Sequence, residues 1–129
     1  MRKIFLYGDA GDNFTENIRE FLDACNIEGQ IALLMMNKES QKYENLYGVP
    51  ITQNNRKYRA IYPVYGKLCR EDLEVIYNSS GILMAGGFPK VYSDIYTLGI
   101  TGELIKRKYY NGTPYARSIG RSNFDCRIL

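Results

Sequence analysis

Few residues in this chain have the type and spacing to do chemistry. Gly86-Gly87 follows the apolar run Gly-Ile-Leu-Met-Ala at 81–85 and precedes Pro89, a residue suited to the first position of a helix. Bare backbone N–H groups between a strand end and a helix start suit an anion or an oxyanion. The same pair also suits a tight turn that needs positive φ. Asp9 and Asp12 follow the first apolar run, but two carboxylates without a third ligand nearby read as turn and cap residues. No metal site and no cofactor are expected. Cys25, Cys69 and Cys126 form no C-x-x-C pair, so zinc and thioredoxin chemistry drop out. There is no His, so neither a Ser-His nor a Cys-His couple can be assembled from these residues.

The elements that must position Gly86-Gly87 alternate along the chain. Residues 3–7 read as a first strand closed by Gly8. Asn13 and Glu16 have the spacing of a capping box, and Ile18, Phe21, Leu22 and Cys25 follow at helical spacing. Residues 30–36 form a continuous apolar strand, as in a parallel sheet. Residues 37–59, polar and Tyr-rich around Gly48-Val49-Pro50, are expected to be mostly irregular, with one helical turn at most. Residues 60–65 are strand-like, with Pro63 marking an edge. Residues 70–77 form a short helix with Leu73, Ile76 and Tyr77 inward. Strand 81–85 follows, then a helix opened by Pro89 with Tyr92, Ile95 and Tyr96 on one face. Gly99 interrupts it. Thr101 caps the next helix, which carries Leu104, Ile105, Lys108 and Tyr109 and ends at Asn111-Gly112. A last strand begins at Thr113.

This alternation predicts a doubly wound, mostly parallel α/β sheet, incomplete at the C-terminus. The length of 129 residues suits one domain. The longest apolar run, 31–36, is too short for a membrane span, and the N-terminus has no signal-peptide core, so a cytoplasmic protein without membrane partners is expected. The net charge of +3 is scattered, and the one basic cluster, Lys106-Arg107-Lys108, falls late in a helix where cations complement the dipole. Nucleic acid is not an expected partner.

A strand running into Ala85-Gly86-Gly87, a helix, then Asn-Gly-Thr-Pro-Tyr-Ala at 111–116 resembles the peptidase E / cyanophycinase family. These are serine peptidases of the class I glutamine-amidotransferase-like fold, a flavodoxin-like arrangement. The resemblance spans residues 1–116 and is most specific over 80–116. It implies cleavage of peptides with acidic residues, an acidic peptide as partner, and an oxyanion turn at Gly86 and Gly87. It also implies that the Asn-Gly-x-Pro-Tyr strand enters a Gly-x-Ser-Ala-Gly nucleophile elbow. Here the chain departs from the pattern. It reads Ala116-Arg117-Ser118-Ile119-Gly120-Arg121, with Arg117 where Gly is expected, Ile119 at the nucleophile position and Arg121 where the last Gly is expected. Ser118, the remaining catalytic candidate, stands one place early. The family's His and acidic partner are expected past Leu129.

Residues 1–116 therefore read as a partial peptidase E-like domain, and 117–129 as an atypical tail without helical period. One permitted back-translation of Ile119 onward, read one base later, encodes Ser-Ala-Gly-Ala-Ile-Leu-Ile-Ala-Gly-Ser. That is an elbow followed by a small-residue apolar helix, starting at the nucleophile position. A frameshift at the elbow is the expectation, and the chain as written is expected to be inactive. The competing readings are a small-anion or peptide-binding α/β module, and a self-associating domain that forms a homodimer through an exposed sheet edge.

Overall fold

A computed structural model describes residues 3–7, 14–36, 41–85 and 90–118, with 90–93 described by backbone alone. Five strands form one sheet: β1 (Ile4–Tyr7), β2 (Gln30–Leu34), β3 (Lys57–Ile61), β4 (Gly81–Met84) and β5 (Tyr115–Ser118). Their order is β1-β5-β4-β2-β3, and every pairing is parallel. The helices are α1 (Phe14–Asn17), α2 (Arg19–Ala24), α3 (Gln41–Gln53), α4 (Arg70–Asn78), α5 (Lys90–Thr97) and α6 (Gly99–Tyr110).

The strand order fixes where the helices lie. The connections β1→β2 and β2→β3 cross the sheet in one direction, and β3→β4 and β4→β5 return in the other. Right-handed crossovers then place α1–α3 on one face and α4–α6 on the opposite face. The packing agrees: α1 lies against α3, and α6 lies against both α4 and α5. The fold is thus doubly wound and flavodoxin-like.

Burial explains the strand sequences. The apolar residues of β2 and β4 are covered on both faces, and Ile31, Leu33, Leu34 and Leu83 are wholly buried. The apolar face of α1 and α2 supplies Phe14, Ile18, Phe21, Leu22 and Cys25 to the same core. Gly81 is required by a close approach, because a Cβ there would overlap Cys25 Sγ. Gly112 adopts φ +102°, and Asn111 is the C-cap of α6, as the Asn-Gly pair implied.

Polar anchors tie the layers together. The Arg56 guanidinium, buried after α3, donates from Nη1 to the Leu22 carbonyl and from Nη2 to the carbonyls of Cys25 and Asn26, the latter two at 2.9 Å. It caps the C-terminal end of α2, where carbonyls lack helical partners. Lys108 Nζ does the same for α4, donating to the Tyr77 and Ser79 carbonyls at 2.8 Å each. Burial holds its pKa below the usual lysine value.

Several sequence expectations need correction. Residues 41–53 are a 13-residue helix, not irregular chain. The strand expected at 60–65 begins at Lys57 and ends at Ile61, although it does lie at an edge as Pro63 implied. Tyr77 points outward, 65% exposed, while Ile76 is buried. Thr101 does not cap α6; the helix begins at Gly99, after Leu98 in extended conformation. The last strand begins at Tyr115 rather than Thr113. The Asn13 cap and Pro89 fall outside the described residues.

Candidate functional site

In open parallel sheets, ligands bind beyond the carboxyl ends of the strands, where adjacent strands lead to opposite faces. That switch lies between β2 and β4 here: the chain leaves β2 for α3 and β4 for α5. The last described residue on the β4 side is Ala85, 2% exposed, whose N–H donates to the Leu34 carbonyl of β2 at 3.0 Å. Gly86 and Gly87, the oxyanion candidates, come next in the chain and lie outside the described residues, as do Asp9, Asp12, Ile119 and Cys126.

On the other side of β4 runs β5, with Met84 in register with Arg117. The two sequence features singled out for chemistry, the β4 end before Gly86 and the β5 end at Ser118, are therefore neighbours at one end of the sheet. Ser118 in turn stands in register with Tyr7 of β1. Paired residues of parallel strands direct their side chains to the same face. Tyr7 packs edge-on against Phe14 of α1, so the Ser118 side chain falls on the α1–α3 face. Arg117, paired with Leu6, falls on the opposite face.

Ser118 is 2% exposed and Arg117 5%. A nucleophile must meet its substrate and hand its proton to a base. As placed, the Ser118 hydroxyl is closed from solvent, and its register neighbour is a phenol rather than a base. Burial pushes the Tyr7 pKa up to about 12, with the Phe21 backbone pulling weakly the other way. Tyr7 thus stays protonated. Its Oη is buried without a well-formed hydrogen bond. Tyr7 was not singled out from the sequence, although its place just before Gly8, at the end of the first strand, is the available signal.

A second polar group borders the sheet ends. Tyr96 of α5 is fully buried, and its hydroxyl donates to the Met35 carbonyl beyond β2, with the Ile61 carbonyl of β3 at 3.4 Å. Desolvation raises its pKa, so it remains a donor. Among the described residues no cluster of three His, Cys, Asp or Glu side chains could hold a metal. No described helix is long and apolar enough to cross a membrane. A groove of about 680 Å³ runs between α4 and α6, lined by Leu73, Tyr77, Ile100 and Leu104 among others, and contains none of the site residues expected from sequence.

The chain matches no family model and no curated protein. Its fold is similar to the crystal structure of a peptidase from an acI-B1 Actinobacterium, with a TM-score of 0.66 and 17% sequence identity. The match covers 92% of this chain and 54% of that one, so the chain spans about half the length of that structure. The class of protein is therefore a doubly wound α/β domain with a peptidase-like fold.

Proposed function

We propose that this chain represents the N-terminal half of a serine peptidase of the peptidase E type, interrupted at its nucleophile elbow. One observation carries the reading. The β4 end preceding Gly86-Gly87 and the β5 end carrying Ser118 are adjacent, next to the β2–β4 switch point of a fold similar to that of a solved peptidase. An oxyanion turn and an elbow must be neighbours in this way to act on one carbonyl. Gly86 and Gly87 take the oxyanion role, and the nucleophile position falls at Ile119, with Ser118 one residue early. The substrate class is a peptide bearing an acidic residue.

The 129 residues include no His to accept the serine proton. The chain as written therefore has no hydrolase activity. Incubation with Asp-containing dipeptides should give no turnover, and a serine-directed fluorophosphonate should not label it. Labelling at Ser118 would overturn the assignment. The codons for residues 119–129 test the origin of the tail. In the shifted phase they should encode Ser-Ala-Gly followed by small apolar residues. Codons that do not read so remove the frameshift.

A further inference from the structure

Among the described strands β5 is interior, and the edges of the sheet are β1 and β3. The two edges are built differently. On β3, Lys57 and Arg59 are exposed and Pro63 follows, which are features that discourage strand addition. β1 reads Ile-Phe-Leu-Tyr, with no charge, and leaves Ile4 39% and Leu6 52% exposed.

The backbone of β1 can be oriented residue by residue. The Lys3 carbonyl accepts from the Tyr115 N–H at 3.1 Å, so Lys3 faces β5. With a period of two, Phe5 and Tyr7 also turn their backbone groups to β5, while Ile4 and Leu6 turn theirs to the open edge. The side chains of Ile4 and Leu6 share the α4–α6 face, opposite the one on which Phe5 meets Phe21 and Tyr7 meets Phe14. Among the described residues these two thus present backbone groups without a strand partner, together with exposed apolar side chains.

We infer that β1 is a self-association edge whose occupant is a second copy of this chain, paired antiparallel about a two-fold axis at Phe5. In that register Ile4 faces Leu6 of the second copy as a hydrogen-bonded pair, and the reverse pair is identical. All four free backbone groups of each strand are then satisfied. The four exposed aliphatic side chains meet on one face. Each Lys3 falls opposite Tyr7 of the second copy, so the two ammonium groups do not confront each other. The sheet becomes ten strands, continuous across the axis. An edge of four residues buries little area by the standard of stable dimers, so the association is weak and concentration-dependent.

The test is sedimentation of the 129-residue chain over a concentration series, combined with amide exchange. The mass should rise toward the dimer, and the N–H groups of Ile4 and Leu6 should gain protection as it does. Leu6→Lys should raise the dissociation constant at least about tenfold, with Ile4→Lys as an independent second variant. Ile100→Lys in the α4–α6 groove should leave it unchanged. A chain that stays monomeric at every soluble concentration would show that the edge awaits another occupant and would overturn the proposal. Dimerisation that survives both β1 substitutions, or is lost in Ile100→Lys, would also overturn it.

Discussion

Tyr7 and Ser118 stand opposite each other in the parallel register of β1 and β5, at the carboxyl ends of both strands. Neither supplies a base. The Tyr7 phenol is buried without a well-formed hydrogen bond, and burial keeps it protonated to about pH 12. An unmade hydrogen bond on a buried hydroxyl costs about 1–3 kcal/mol.

Tyr7→Phe removes that cost while keeping the ring contacts with Phe5 and Phe14. The variant should be as stable as the parent or up to about 2 kcal/mol more stable. Urea denaturation of the pair measures it. A loss of more than about 1 kcal/mol would mean the hydroxyl has a partner of real worth.

Gly81→Ala tests the closest approach between α2 and β4. The added methyl meets Cys25 Sγ, with Phe21 and Ile31 also within 3.1 Å. Overpacking a core typically costs about 1–3 kcal/mol, and that loss is expected here. Cys25→Ala clears the sulfur, so Gly81→Ala should cost less in the Cys25→Ala background. Equal costs in the two backgrounds would place the strain elsewhere.

Most of this architecture was legible because apolar period and punctuation agreed. The four helical positions Ile18, Phe21, Leu22 and Cys25 are all buried, and the runs at 30–36 and 81–85 lie in the centre of a parallel sheet. The helix at Gln41–Gln53 was not legible, because its sequence holds Gly48 and Pro50, both poor in a helix interior. Tertiary contacts outweigh propensity there. Tyr47 packs edge-on against Phe14, Ile51 is fully buried, and the Tyr58 ring lies over Gly48 where any Cβ would collide. Glu44 of the same helix accepts hydrogen bonds from the hydroxyls of Tyr58, at 2.7 Å, and Tyr62. These partners are distant in sequence and leave no local pattern. The strand at Lys57–Ile61 was read late for a related reason, since its charged residues alternate outward at an edge. The adjacency of the β4 and β5 ends depends on strand order, which no single segment encodes.

Arg56 is the buried cation that sequence reading passed over, and its removal should be costly. Three carbonyls at the end of α2 accept from it, and those of Leu22 and Asn26 also accept a backbone N–H. Hydrogen bonds to charged groups contribute about 1.5–3 kcal/mol, although Nε lacks a partner and offsets part of this. Arg56→Met keeps the stem and should destabilise the fold by about 2–4 kcal/mol. Thermal unfolding is the measurement, and a change below about 0.5 kcal/mol would show that water replaces the guanidinium at no loss.

With no His, no side chain of unperturbed pKa titrates between about pH 5 and 8, so stability should be nearly flat there, and the buried groups set its fall on the alkaline side. Burial raises Cys25 from 9.0 to about 12, with Arg56 opposing the rise. It also raises Tyr115 from 10.0 to about 12, with Arg117 opposing, and Tyr7 by a similar amount. A group whose folded pKa is raised stabilises the native state fully below its unfolded pKa and loses that contribution as pH climbs through the folded value. Stability should therefore hold to about pH 9 and fall between about pH 9 and 12. Each buried group contributes a slope of up to about 1.4 kcal/mol per pH unit. Urea midpoints recorded from pH 7 to 11 should show the decline, and Tyr115→Phe should make it shallower by about one proton. A midpoint unchanged to pH 11 would mean that these groups ionise alike in the folded and unfolded chains, which their burial does not permit.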